Sequence, residues 1–285
     1  MVEIKKLDTK EIPTWCPGCG NHLILAALKK AVSQMNLEPS EVVVVSGIGC
    51  SAGLPHWIET YGFHSIHGRA LPVATGVKLA NHELNVIVVS GDGDGYGIGL
   101  NHLVHAMRRN LDITYIGHNN QIYGLTLGQT SPTTEHGGKT VSTPNGSIEV
   151  PINPISLALS SGATFIGRGY AGNGKQLTDL IVEGTEHRGF ALIDVFQPCV
   201  TFNKVNTFEF FNKRVYDLQK ENHNIHDFGN AFVKSFEYGE RIPTGLFYKT
   251  ERDTYADDLP QLKESALVKH EINTVSIKQL IEKYR

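Results

Sequence analysis

The chain has 285 residues, 40% of them hydrophobic, which is enough for one large α/β core or two modest ones and too apolar for a disordered protein. Lysine and arginine number 26 against 29 aspartates and glutamates, a net charge of -3 without like-charged blocks; this excludes a broad basic field for nucleic acid and leaves small molecules or protein partners. No apolar run approaches the roughly 18 to 20 residues of a membrane helix, and the charged start from Met1 to Lys10 lacks an apolar signal core, so a cytoplasmic protein free of membrane and nucleic acid is expected.

Residues 41–47, EVVVVSG, predict a buried strand, a β-branched run that ends at a glycine and leads into GIGCS. Further runs apolar on both faces predict strands at 84–90 (LNVIVVS), 113–117 (ITYIG), 163–167 (ATFIG) and 191–196 (ALIDVF). Between them, apolar spacing of three to four predicts helices over 72–82, 98–109, 154–161 and 176–187, the third opened by Asn153 as N-cap and Pro154 as first helical residue. This alternation over residues 23–199 predicts a doubly wound parallel sheet with right-handed crossovers. Residues 129–151, rich in Thr, Gly, Ser and Pro without periodicity, read as a functional loop or a flexible insertion. After Cys199 the alternation stops, so a domain at 1–199 and a C-terminal extension at 200–285, packed on the core or on a partner, are expected.

Gly91-Asp92-Gly93 follows one predicted strand and Asn119-Asn120 the next, with 25 residues (94–118) between. Glycines allow a diphosphate close to the backbone, and a carboxylate with a carboxamide offers hard oxygens to Mg²⁺. Both motifs lie past the carboxyl ends of strands, where open α/β sheets bind ligands. Each is also an ordinary turn composition.

Four cysteines without a secretory signal point to metal or catalysis rather than disulfides. Cys16 and Cys19 form a Cys-x-x-Cys pair, whereas Cys50 and Cys199 each follow a predicted strand at the same sheet edge as Asp92 and Asn120. Four thiolates suit an iron-sulfur cluster or a structural zinc, and free thiols remain a third reading.

Taken together, WCPGCG, SGIGCS, HGR at 67–69, GDGDG, NN, YGLT and QPC resemble the beta subunits of 2-oxoacid:ferredoxin oxidoreductases over roughly residues 13–250. The resemblance implies a fold of the thiamine diphosphate-binding type, with Mg²⁺ on Asp92, Asn120 and the Ile122 carbonyl. It implies cofactor contacts at Ile48, Gly49, Cys50, Ser51, Thr75, Gly93, Asp94, Gly124 and Leu125. It also implies one [4Fe-4S] cluster on Cys16, Cys19, Cys50 and Cys199. His67 and Arg69, ahead of His64, are candidates to meet a substrate carboxylate or the diphosphate; the competing reading is that they cap element ends. His102 and His105, on a predicted helix, read as structural or interface residues.

The implied reaction is decarboxylation of a 2-oxoacid on thiamine diphosphate, with electrons leaving through the cluster to ferredoxin and the acyl group passing to coenzyme A. The glutamate that activates the cofactor has no convincing candidate here, Glu59 and Glu83 sitting in no recognisable pattern, and in the family it comes from the alpha subunit. The lone chain is therefore expected to be inactive. Many relatives that use 2-oxoglutarate carry lysine where this chain has Leu127, so 2-oxoglutarate or a mixed range including pyruvate is expected. A non-oxidative thiamine enzyme would share GDG and NN without needing the cysteines. A zinc-binding interaction protein would share the cysteines without needing GDG and NN.

Overall fold

The computed structural model describes residues 2–271 and 276–284. The elements, in chain order, are α1 (Gly20–Gln34), β1 (Val42–Ser46), β2 (Tyr61–His64), α2 (Ala70–Ala80), β3 (Asn85–Gly91), α3 (Leu100–Arg108), β4 (Ile113–Asn119), α4 (Pro154–Ser161), β5 (Phe165–Tyr170), α5 (Gly174–Glu186), β6 (Phe190–Phe196), α6 (Phe208–Asn212), β7 (Val215–Asp217), α7 (Phe228–Ser235), β8 (Ile242–Lys249) and α8 (Ile277–Glu282). The strands line up as β2-β1-β3-β4-β6-β5-β8-β7. From β2 through β5 every pair is parallel, and β8 closes antiparallel on β5.

Parallel strands covered on both faces must be apolar on both, and the side chains divide accordingly. Val42, Val44, Ile87, Val89, Ile116 and Ile193 join the layer under α1 and α5. Val43, Val45, Val86, Val88, Ile113 and Leu192 join the layer under α2, α3 and α4. The Asn153 side chain accepts from the Ile155 and Ser156 amides and Pro154 opens α4, the expected cap, while Gly162 ends the helix in the left-handed region.

Two features differ from the sequence reading. Strand β2 is a four-residue edge strand with every residue exposed, so it carries no hydrophobic pattern. The segment after Cys199 adds β8 and β7 to the same sheet, Phe247 entering the core layer of α2 and α3, although its strands are interrupted by Pro243 and Gly245. The terminal run 275–285 lies partly outside the described residues; within it α8 is a single short helix with exposed side chains. No helix among the described residues is long and apolar enough to cross a membrane.

Candidate functional site

The strand order reverses at β1: β2 lies on one side of it and β3 on the other, which opens a crevice at the carboxyl ends. The loops after β1, β2, β3, β4 and β6 all end there. A cavity of about 120 Å³ is bordered by Ile48, Gly49, Cys50, Ser51, His67, Asp92, Gly93, Asp94, Asn120, Ile122, Gly124 and Leu125. These are all the anticipated cofactor and Mg²⁺ positions except Thr75, together with His67.

Asp94 ties the rim together. Its Oδ1 accepts from the amides of Ile48 (3.1 Å) and Gly68 (2.6 Å) and lies 2.7 Å from His67 Nδ1, while Oδ2 accepts from Ser90 Oγ at 2.5 Å. Three separate loops are thereby fixed by one buried carboxylate, so the Asp94 side chain orders the cradle whose cavity it borders. Gly49, at φ +123 with open space where a Cβ would sit, takes a backbone conformation that side chains rarely adopt. A Cβ on Gly93 would stand 2.2 Å from the Tyr123 ring, whose hydroxyl donates to the Gly93 carbonyl at 3.0 Å.

Asp92 is buried, and desolvation pushes its carboxyl up to about 6 against the hydroxyls that favour its charge. Those hydroxyls come from the 129–151 loop: Ser131 Oγ and Thr133 Oγ1 lie 2.5 Å and 2.6 Å from Asp92 Oδ2. Thr133 Oγ1 also lies 2.9 Å from Asn119 Oδ1, and Asn120 Oδ1 accepts from the Ile122 amide at 3.0 Å. The loop is therefore part of the site rather than a bland insertion. A buried carboxylate, a carboxamide oxygen and a backbone carbonyl are the hard donors a divalent cation takes, and burial with no cationic partner among the described residues is the state that such an ion would relieve.

A second cavity of about 400 Å³ is bordered by all four cysteines, Trp15, Leu127 and Phe202, and shares Gly49, Cys50, Asn120, Gly124, Leu125 and Gln197 with the first. Cys19 is the N-cap residue of α1, and its amide donates to the Cys16 carbonyl at 3.0 Å across the Cys-x-x-Cys turn. The Gly20 amide donates to the Pro198 carbonyl at 3.2 Å, joining the Cys-x-x-Cys turn to the loop of Cys199. Burial and the neighbouring sulfurs push the thiols of Cys19 and Cys50 up to about 11, so a positive group must take their protons' place before they serve as thiolates. A Cβ on Gly124 would lie 3.6 Å from the Cys199 sulfur and 3.7 Å from the Cys50 sulfur, inside the space they face. Among the described residues no three His, Cys, Asp or Glu side chains converge on a single ion position; the thiols ring a cavity instead.

Other candidates stand apart. Arg69 precedes α2 with its guanidinium on the Gly68 carbonyl at 3.2 Å, and Thr75 lies within α2 with its hydroxyl on the Leu71 carbonyl at 2.8 Å; neither borders the first cavity. His64 borders the cysteine cavity and pairs with His56 at 3.4 Å. Glu83 is exposed and paired with Lys269, and no glutamate among the described residues borders either cavity at the sheet edge. Three polar residues were missed by the sequence reading. Ser131 and Thr133 sat in an aperiodic loop. His118, inside a strand, is buried with its Nδ1 2.8 Å from Asn21 Oδ1, an Nε2 without a partner among the described residues and a ring pushed down to about 3 by burial.

Such a sheet, with a buried aspartate and paired asparagines at its carboxyl edge, defines a thiamine diphosphate-binding domain, and residues 47–195 match the family described as thiamine pyrophosphate enzyme, C-terminal TPP binding domain. Residues 199–264 match the family described as the C terminal of the pyruvate ferredoxin oxidoreductase beta subunit. The chain is 48% identical to the 2-oxoacid:ferredoxin oxidoreductase subunit beta of Saccharolobus solfataricus, over 89% of this chain and 87% of that one. It is 37% identical to the 2-oxoglutarate synthase subunit KorB of Archaeoglobus fulgidus, over 90% of this chain and 92% of that one. A solved 2-oxoglutarate:ferredoxin oxidoreductase from Magnetococcus marinus, with 2-oxoglutarate, coenzyme A and succinyl-CoA bound, superposes with a TM-score of 0.92 at 36% identity, covering 100% of this chain and 96% of that chain. The chain belongs to the beta subunits of the 2-oxoacid:ferredoxin oxidoreductases, enzymes that act as multi-subunit assemblies.

Proposed function

We propose that this subunit, with its alpha partner, oxidises a 2-oxoacid and coenzyme A to acyl-CoA, carbon dioxide and a proton, two electrons leaving one at a time through a [4Fe-4S] cluster to ferredoxin. The observation that carries this reading is the shared wall: Cys50, Asn120, Gly124 and Gln197 border both the cavity of Asp92 and the cavity of the four thiols. A non-oxidative thiamine enzyme has no use for that adjacency, and a zinc-binding interaction protein has no use for Asp92 and Asn120.

Bound thiamine diphosphate supplies the carbanion chemistry that breaks the bond between the carboxylate and the carbonyl carbon. The chain's part is placement. Asp92, Asn120 and the Ile122 carbonyl hold Mg²⁺, and the amides around Gly49 and Gly93 meet the diphosphate. Asp94 holds the His67 ring by its Nδ1, which leaves Nε2 for a polar group of cofactor or substrate. Cys16, Cys19, Cys50 and Cys199 hold the cluster; soft thiolates ringing a cavity suit a group wider than one ion.

A space of about 120 Å³ is below the roughly 300 Å³ at which small-molecule pockets begin, so this chain encloses only part of the cofactor. The site is completed by the alpha partner, which brings the activating glutamate and the coenzyme A site. 2-Oxoglutarate is favoured as substrate by the likeness to 2-oxoglutarate enzymes, with pyruvate or a mixed range left by Leu127, which borders the cysteine cavity without a charge for a distal carboxylate.

Anaerobic preparation tests the reading: brown protein with about four iron and four sulfide atoms per chain is expected. Colourless protein carrying zinc would overturn it. The separated chain should release no carbon dioxide from pyruvate or 2-oxoglutarate, whereas the two-subunit enzyme should; activity of the lone chain would refute the division of labour.

A further inference from the structure

We propose that Gln197 sets the reduction potential of the cluster by donating its side-chain N–H to the sulfur of Cys19, an assignment that rests on the cluster reading above. Gln197 follows β6 with 1% of its surface exposed, and it borders both cavities. Its Nε2 lies 3.3 Å from the Cys19 sulfur and 3.0 Å from the Pro198 carbonyl oxygen. A sulfur and a carbonyl are both acceptors, so the two hydrogens of the amide must point at them; the flipped amide would set oxygen against both. The other end of the amide, Oε1, is buried and finds no hydrogen-bond partner among the described residues.

The approach depends on Gly20. A Cβ there would stand 3.0 Å from Gln197 Cγ, 3.2 Å from its Nε2 and 3.2 Å from Pro198 Cδ, closer than side chains ordinarily pack. The glycine of the Cys-x-x-Cys-Gly turn thus gives the amide room against the cysteine loop.

Reduction adds one electron to the cluster and raises the negative charge on its sulfurs, and a fixed N–H donor favours the more charged state. The hydrogen bond therefore raises the potential, and burial strengthens it because little water screens the dipole. Gln197 acts on the electron's exit without touching the reacting carbon, which makes it a positioning residue.

The test uses the two-subunit enzyme, purified anaerobically and titrated electrochemically with the reduced cluster read by electron paramagnetic resonance. Gln197→Leu should keep about four irons per chain and shift the one-electron equilibrium about tenfold toward the oxidised state, a fall of about 59 mV. Gln197→Glu should fall further at neutral pH and recover as its carboxyl protonates, and Gly20→Ala should move the potential in the same direction by pushing the amide away. An unchanged potential in Gln197→Leu with an intact cluster overturns the proposal. If that variant loses its cluster, the wild-type enzyme labelled with ¹⁵N in glutamine side-chain amides decides: a nitrogen coupling to the cluster spin supports the bond, and its absence overturns it. A wild-type enzyme with no iron cluster would overturn the underlying reading instead, and this proposal with it.

Discussion

Replacing Asp92 by asparagine should stabilise the ligand-free chain while removing its ability to bind Mg²⁺ and thiamine diphosphate. Burial raises the Asp92 carboxyl from 3.8 to about 6. A group raised in the folded state binds more protons there than in the unfolded chain, so stability falls as pH climbs between those two values. Holding the carboxylate ionised above pH 6 costs the ligand-free fold about 3 kcal/mol. Asparagine keeps the shape and an oxygen for Ser131 and Thr133 but carries no charge, while its amide must find an acceptor, which offsets about 1 kcal/mol. The net gain of about 2 kcal/mol corresponds to a rise in Tm of roughly 4 to 8 °C for a chain of this size near pH 8. Near pH 4.5, where the native carboxyl is mostly protonated, its cost falls to about 1 kcal/mol, which the amide offset cancels, so the advantage should vanish. Adding Mg²⁺ and thiamine diphosphate at about 100 times Kd should lift the native chain by about 2.7 kcal/mol and the variant not at all, so the order of the two melting temperatures reverses. Scanning calorimetry of both proteins at both pH values, with and without ligands, reads all four outcomes. A variant that melts lower at pH 8 without ligand, or that still gains stability from Mg²⁺ and the cofactor, would refute the reasoning.

Removing the two hydroxyls that favour the Asp92 charge, in Ser131→Ala with Thr133→Ala, should raise its carboxyl above about 6. Calorimetric titration of Mg²⁺-dependent cofactor binding against pH should then show its midpoint displaced upward by roughly one to two pH units; an unmoved midpoint counts against the pair. Gly124→Val puts methyl groups into the space faced by the Cys50 and Cys199 sulfurs and should strip most of the iron while the chain stays folded, as read by iron content and circular dichroism. Iron retained at the native level would contradict that use of the cavity. Leu127 is 67% exposed in the left-handed region at φ +77, so Leu127→Lys should fold normally. An added cation facing a distal carboxylate should lower KM for 2-oxoglutarate about fivefold and leave pyruvate unchanged, for an exposed pair worth about 1 kcal/mol.

The doubly wound sheet was legible because its strands are buried on both faces: each is a short β-branched run with no polar alternation, and the helices between them repeat at three to four residues. That Asp92, Asn120, Cys50 and Cys199 share one sheet edge was legible because each follows one of those strands, and the fold sets Cys16 and Cys19 on the cavity of the other two cysteines. Edge strand β2 and late strand β8 were not, since exposure of one and the proline and glycine of the other erase the pattern. Nor were Ser131 and Thr133, which are ordinary loop residues until the chain folds back and sets their hydroxyls on Asp92, 39 and 41 positions away in sequence. The family resemblance implies a cofactor contact at Asp94, yet only the fold makes its carboxylate the tie among the loops after β1, β2 and β3. The sequence by itself determined which groups exist and which sheet edge they reach, because strand periodicity and side-chain chemistry are local properties. Tertiary structure alone decided which of them meet. Gln197 reaches Cys19 from 178 positions along the chain, a contact set by packing at Gly20 and not written in any motif.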